Sequence, residues 1–392
     1  MSAPRVELLE LGRDPWRAVF SFRVSPELEP LLWDERLLVL ACSEGVRSEP
    51  EVLAAAFVNA LAPLGWIYGA EILSPVPVPR GALASLREVG AFLQRHYGWP
   101  AHDPFSHLET CEDLDLPRHH GALMFSAGID SSMALLELGG RGSDRPLDWL
   151  IHVSNFENLD SQTTEAQQRA ALETTRGVAE ARGLGWMHLW TNIAGVFKHN
   201  RFDDRFPESC SFWLGLEHVH HIATALCAVR PLLARTYLAG GFSELLTRVG
   251  SCAGSAAYVD RYSYPAPLEL IHEHERRQWK VEQILDRDPE LLESLRVCYS
   301  SGDGTCGECR KCQATALMIV AAGGDLARTS FPPRIVPALI DTITEIRPLP
   351  VEGHRFYNQA LEGRVLSGDR QQRFDQLLER LAAMQPQSGG ST

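Results

Sequence analysis

Gly121-Ala-Leu-Met-Phe125-Ser126-Ala127-Gly128-Ile129-Asp130-Ser131-Ser132-Met-Ala-Leu-Leu136 reads as an apolar strand, a turn of small residues and the start of an apolar helix. Small residues between a strand and a helix let the backbone approach an anion closely, and the helix N-terminus presents N–H groups and a partial positive charge. Phosphate is the natural guest. The hydroxyls of Ser126, Ser131 and Ser132 add donors, while Asp130 either caps the helix or helps hold Mg2+ on the phosphates. The loop is not a Walker A loop, because no Gly-Lys-Ser or Gly-Lys-Thr occurs in the chain, and it is not a G-x-G-x-x-G fingerprint. Ala127 is expected to tolerate the turn only with a negative φ.

Outward from this stretch, apolar strands alternate with helical patterns, as in a parallel sheet with helices on both faces, so the expected fold class is α/β. Strands are expected at Ala122 to Phe125, Trp149 to Val153, Trp186 to Trp190 and Thr236 to Ala239, and helices at Ser131 to Leu138, Thr163 to Arg182 and Phe212 to Val229. Open α/β sheets bind ligands beyond the carboxyl ends of their strands. That rule makes Ser154 and Asn155 candidate ligand contacts and places Gly240 and Gly241 at the pocket.

Residues 1–115 read as an N-terminal α+β accessory domain: short alternating runs at Arg5 to Leu11, Trp16 to Val24 and Arg36 to Ala41, then helical patterns at Glu51 to Leu64 and Leu83 to Tyr97. Trp99 to Pro117, with three prolines and several acidic residues, reads as a linker. Residues 116–325 would form the nucleotide-binding domain and 326–392 a C-terminal helical extension. In the latter, Phe374, Leu377, Leu378 and Leu381 mark the core-facing stripe of an amphipathic helix, followed by a frayed tail.

Cys298-Tyr-Ser-Ser-Gly-Asp-Gly-Thr-Cys306-Gly-Glu-Cys309-Arg-Lys-Cys312 has the spacing C-x7-C-x2-C-x2-C. Four thiolates joined by glycine turns can surround a tetrahedral Zn2+ with no open position, which predicts a structural site; a four-iron cluster competes, but the C-x3-C-P continuation of ferredoxins is absent. Nine cysteines in 392 residues are too few for a disulfide scaffold. A composition of 45% hydrophobic and 22% charged residues excludes a disordered chain. No run approaches roughly 18 uninterrupted apolar residues, and no secretory pattern opens the chain, so a soluble cytoplasmic protein without a membrane partner is expected. The formal net charge of −13 disfavours nucleic acid as a partner, and residues 1–115, with nine arginines and 17 acidic residues, are a poor RNA grip.

The loop Ser126 to Ser132 resembles the S-G-G-x-D-S-[ST] loop of the ATP pyrophosphatase (PP-loop) superfamily, with Ala127 where a glycine is usual. The cysteine quartet follows about 170 residues later, and Trp279-Lys280-Val-Glu-Gln-Ile284 looks like that family's Thr-Lys-Ala-Glu-Ile helix. Over residues 121–322, about half its length, the chain therefore resembles the 7-cyano-7-deazaguanine synthases. The resemblance implies an adenine nucleotide α-hydrolase-like sheet closed by a zinc knuckle, ATP with Mg2+, AMP passed to a carboxylate, and amination of that carboxylate. It also implies Lys280 as a phosphate or substrate contact alongside Asp130. Tyr262-Ser-Tyr264-Pro265-Ala266-Pro267 keeps only the Tyr-Pro of the family's Tyr-Pro-Asp-Cys-Arg stretch, which leaves the substrate open.

Similar proteins occur in bacterial antiphage operons, where the resemblance suggests a 7-deazapurine carboxylate joined to an amine on a partner protein instead of ammonia. Ammonia-dependent nitrile formation, tRNA modification and a non-catalytic scaffold are the alternatives. On the ligase reading, Asp130→Ala is expected to abolish ATP cleavage with fold and zinc content intact. Two weaker patterns remain. Gly250-Ser-Cys252-Ala-Gly254 outlines a nucleophile elbow with no clear strand before it and reads as a loop, while His218 and His221 share a helix face but lack a third metal ligand.

Overall fold

Alternation of buried and exposed side chains makes the first strands. β1 (Arg5–Arg13), β2 (Arg17–Val24) and β3 (Leu37–Cys42) bury Val6 and Leu8, then Ala18, Phe20 and Phe22, then Leu38, Leu40 and Cys42. Period-two burial of this kind leaves one sheet face for a core. In the computed structural model the described residues are 3–113, 120–139, 145, 147–154, 165–208, 210–241, 257–272, 275–298, 305–348, 357 and 370–385. They fall into two compact units, one of residues 1–125, 144–160 and 179–274, the other of residues 126–143, 161–178 and 275–392.

The first unit contains a nine-stranded, mostly parallel sheet. β4 (Glu71–Leu73), β7 (His120–Met124), β8 (Trp149–Ser154), β9 (Gly185–Thr191), β10 (Leu233–Ala239) and β11 (Leu268–Ile271) complete it in the order β11-β10-β7-β8-β9-β3-β2-β1-β4. The pairs from β11 to β9 are parallel, as is β1 with β4; β9 with β3, β3 with β2 and β2 with β1 are antiparallel. The α/β expectation holds at this level, and the four strands expected at 122–125, 149–153, 186–190 and 236–239 are present with small shifts of their ends.

Residues 1–115, expected to stand as a domain of their own, are instead built into this sheet. Leu40, Ala41 and Cys42 pair with Thr191, Trp190 and Leu189, and the Asn192 carboxamide extends the join by accepting from Val39 N–H and donating to the Leu37 carbonyl. The segment read as a linker is also ordered where described. Trp99, Phe105 and Leu108 are buried, and β6 (Thr110–Cys111) pairs with β5 (Val78–Pro79). Its aromatic and leucine side chains outweigh its prolines.

α1 (Pro50–Tyr68) is the one described helix long and apolar enough to cross a membrane. Sixteen of its 19 residues are buried inside this unit, which accounts for its composition. Phe57 lies 6.2 Å from Phe20 and 5.9 Å from Phe22, ring to ring. α2 (Arg80–Tyr97) approaches α1 through Gly90, where a Cβ would come within 2.3 Å of Trp66 Nε1. The helix expected at Phe212 to Val229 is broken into a π-helical turn (Trp213–Glu217), α5 (His218–Leu226) and a 3-10 turn. α4 (Glu165–Ala181) matches its expected span.

The second unit gathers α3 (Ile129–Leu138), α6 (Arg277–Arg287), α7 (Arg310–Ala321), α8 (Ile335–Ile346) and α9 (Arg370–Met384). α6 packs on α3 and α7, and α9 packs on α7 and α8. Phe374, Leu377 and Leu381 are buried there, as the stripe predicted. Arg380 donates to the carbonyls of Val320 (2.8 Å) and Ala321 (2.6 Å), satisfying the end of α7.

Candidate functional site

The loop after β7 turns on an alanine. Ala127 has φ +59°, in the left-handed region, whereas Gly128 has φ −81°. The expectation of a negative φ at Ala127 is therefore corrected: the loop bends one residue before its glycine. An L-residue held there costs about 1–2 kcal/mol and persists only where its surroundings fix it. They do so here, since Ala127 is buried and its carbonyl accepts the Arg296 N–H at 2.9 Å, two residues before the first cysteine of the quartet. Ser131 Oγ donates to the Gly128 carbonyl at 3.1 Å and lies 3.4 Å from Ser126 Oγ, and Ser132 N–H bonds the same Gly128 carbonyl at 2.9 Å. Ile129 and Ser132 are buried.

The strain makes a stability prediction. Ala127→Gly loses one buried methyl, about 0.8 kcal/mol, and gains chain entropy in the unfolded state, but it relieves about 1–2 kcal/mol, so its urea midpoint should stay close to the parent's. Ala134→Gly, an equally buried alanine inside α3, has no such relief and should cost about 2 kcal/mol from lost helix propensity and burial. Equal losses at the two positions would contradict a strained Ala127.

Asp130, on the first turn of α3, meets two cations from the first turn of α6. Its Oδ1 lies 3.0 Å from Lys280 Nζ, and its Oδ2 accepts from Arg277 Nε (3.0 Å) and Nη2 (2.7 Å). Lys280 is fully buried, not a solvated surface lysine. Burial pushes the Asp130 carboxyl up, but the charges of Arg277 and Lys280 outweigh it and hold the group below its ordinary value. Asp130 and Lys280, named from the sequence, are thus brought together; Arg277 was not anticipated. Asp130 does not fit a Mg2+ ligand here, because both of its oxygens already face cations.

The cysteine quartet is assembled within the same unit. The sulfurs of Cys298, Cys306, Cys309 and Cys312 all lie within 4.8 Å of one another, with Cys298 to Cys306 at 3.3 Å. Gly307 takes φ +75°, which turns the chain so that the N–H groups of Glu308 and Cys309 point at Cys306 Sγ (3.4 and 3.3 Å). Cys312 N–H donates to Cys309 Sγ at 3.4 Å. Amide donors aimed at sulfur stabilise thiolate, and four such sulfurs can hold a metal ion such as zinc. Among the described residues this is the only cluster of three or more such ligands. Thr305 donates to the Ser330 carbonyl, and Ser330 Oγ to that of Leu295, both at 2.5 Å, so the segments flanking the quartet are tied together.

Ser154, Gly240 and Gly241 belong to the first unit, at the carboxyl ends of β8 and β10, and the loop, Lys280 and the quartet to the second. Asn155 and the Gly250 to Gly254 stretch lie outside the described residues. Ser154 Oγ is 2.6 Å from His188 Nε2, and burial pushes His188 down to about 4, so the ring is neutral at physiological pH. Gly240 N–H bonds the Ile271 carbonyl at 2.8 Å.

The histidines on α5 serve packing and a buried charge. His220 Nδ1 lies 2.7 Å from the Tyr262 hydroxyl. Glu217, fully buried at the end of the π-helical turn, places Oε1 3.0 Å from His221 Nε2 and Oε2 3.0 Å from His199 Nε2. Burial raises Glu217, but the His221 charge and both imidazole hydrogen bonds bring it below 4.5; burial lowers His199, but Glu217 brings it above 6.5. A raised histidine contributes stability that is complete below its unfolded value and lost as pH rises through its folded one; a depressed carboxyl contributes stability lost as pH falls through its folded value. This cluster should therefore stabilise most between about pH 4.5 and 6.5 and weaken on both sides. His199→Gln should flatten the alkaline limb of a melting-temperature profile, and an unchanged limb would refute the assignment.

No protein-family model matches the chain, and no curated protein and no solved structure matches it.

Proposed function

We propose that the chain is a cytoplasmic, ATP-dependent, AMP-forming ligase with an adenine nucleotide α-hydrolase-like fold and a structural Zn2+ on Cys298, Cys306, Cys309 and Cys312. It adenylates a carboxylate, on the sequence resemblance a 7-deazapurine carboxylate, and joins the acyl group to an amine on a partner protein. The observation that carries this reading is the Asp130, Arg277 and Lys280 cluster at the start of the helix following Ser126-Ala127-Gly128, where two cationic side chains gather beside a helix N-terminus.

In the first step a carboxylate oxygen bonds to the α phosphorus of ATP, the bond to the bridging oxygen of the β phosphate breaks, and pyrophosphate leaves with that electron pair. Arg277 and Lys280 offset the charge growing on the leaving group, and the helix N–H groups orient it. In the second step the amine nitrogen bonds to the acyl carbon, AMP leaves, and the nitrogen loses a proton. No step is assigned to a metal on Asp130.

Incubation with ATP, a 7-deazapurine carboxylate and co-expressed neighbouring proteins tests the proposal. AMP and pyrophosphate should form, and intact mass should show the acyl group added to one partner. ADP with phosphate would remove the pyrophosphatase reading, and a nitrile made from ammonia by the chain alone would return it to an ordinary synthase.

A further inference from the structure

We propose that Ser154 and His188 take up the proton released in the second step: the serine hydroxyl receives it from the attacking amine and passes its own proton to His188 Nε2. This rests on the ligase reading and deepens it, because that reading leaves the amine's proton without an acceptor.

Ser154 ends β8 and His188 lies on β9, where the register pairs His152 with His188 and Ser154 with Trp190. The two side chains are therefore diagonal neighbours on one face of the sheet. Ser154 Oγ lies 2.6 Å from His188 Nε2, the contact a hydroxyl makes with a base poised to take its proton. Ser154 also stands at the carboxyl end of a parallel strand, the end at which open α/β sheets take their ligands. His188 is fixed from both sides of its peptide: its N–H donates to Ser43 Oγ and its carbonyl accepts from the Ser43 N–H, both at 3.0 Å. The Trp186 ring stacks 6.2 Å from the imidazole, centroid to centroid. Burial keeps the imidazole neutral at physiological pH, which is the form that accepts a proton. With the ring hydrogen on Nδ1, Nε2 accepts from the Ser154 hydroxyl.

An amine nitrogen that bonds to an acyl carbon becomes cationic and acidic, so a base weakened by burial still suffices to take its proton. As that bond forms and AMP leaves with the electron pair of its bond to the acyl carbon, the nitrogen's proton moves to Ser154 Oγ and the hydroxyl proton to His188 Nε2. The imidazolium, on a partly exposed residue, then gives a proton to water and restores the pair.

The test gives the full-length, metal-loaded protein ATP, a 7-deazapurine carboxylate and one of two kinds of acceptor. The first is an amine that must shed a proton, on the co-expressed partner protein or as ammonia; the second is hydroxylamine, a nucleophile strong enough to trap the acyl adenylate unaided. Ser154→Ala and His188→Gln should slow acylation of the amine about 100- to 10,000-fold, the usual loss of a positioned proton acceptor, while hydroxamate and pyrophosphate form at the parental rate with hydroxylamine. An equal loss with both kinds of acceptor would place the pair in nucleotide binding or in the fold and overturn the proposal, as would parental acylation of the amine in both variants. If His188→Gln does not fold, Ser154→Ala decides on the same comparison. A parent that joins the acyl group to neither amine removes the ligase reading and this inference with it; an active parent with an indifferent Ser154 and His188 removes this inference alone.

Discussion

Cys306→Ser should leave the second unit unable to hold its native structure. Binding to a closed thiolate site contributes on the order of 10 kcal/mol or more to folding, comparable with the roughly 5–15 kcal/mol that holds a whole domain together. Cys306 accepts from two backbone amides, so the serine would lose its bond to a bound metal and leave two donors facing a poorer acceptor. Elemental analysis of the parent should find one zinc per chain, while the variant should be metal-free and either insoluble or melted well below the parent. A metal-free variant with the parent's melting temperature would show that the quartet is only a group of neighbouring thiols, and iron with visible absorption would reassign the metal.

Asp130→Ala is the second large effect, and here the geometry revises what the sequence led one to expect. A variant that only stops catalysis presupposes an aspartate turned toward a ligand. Instead the carboxylate is shared by Arg277 and by a buried Lys280, and removing one partner of a buried ion pair costs about 3–5 kcal/mol. Urea unfolding should show a loss of that order. The native contribution is present above the ordinary aspartate value of 3.8 and lost as pH falls through the depressed folded value, so parent and variant should converge in stability in acid. A difference below 1 kcal/mol at neutral pH would mean that the pairs contribute as little as exposed ones do.

What could be read from the sequence follows how local each interaction is. The strand, small-residue turn and helix at 121–138 are encoded in consecutive residues, and the quartet lies within fifteen positions, so both were legible. Lys280 was reached only through a resemblance, and Arg277, three residues before it, was missed because its partner lies 147 positions away. The sign of φ at Ala127 is set by a carbonyl whose donor is Arg296, which no local pattern reveals. Glu217 likewise escaped notice, since the π-helical turn that delivers it to His199 and His221 has no periodic signature. For residues 1–115 the alternation disclosed strands but not their neighbour, and so suggested a separate domain.

That neighbour sets the order in which the chain can be built. β3 finds its partner in β9, about 150 positions later, so the first strands and the apolar α1 cannot close their sheet while the ribosome is still adding the residues between. Non-local pairing of this kind slows folding, and an unpaired edge beside an apolar helix is prone to association in the meantime. A nascent chain stalled before Gly185 should therefore be held by chaperones, and one stalled well beyond Thr191 should be released with its N-terminal strands resistant to protease.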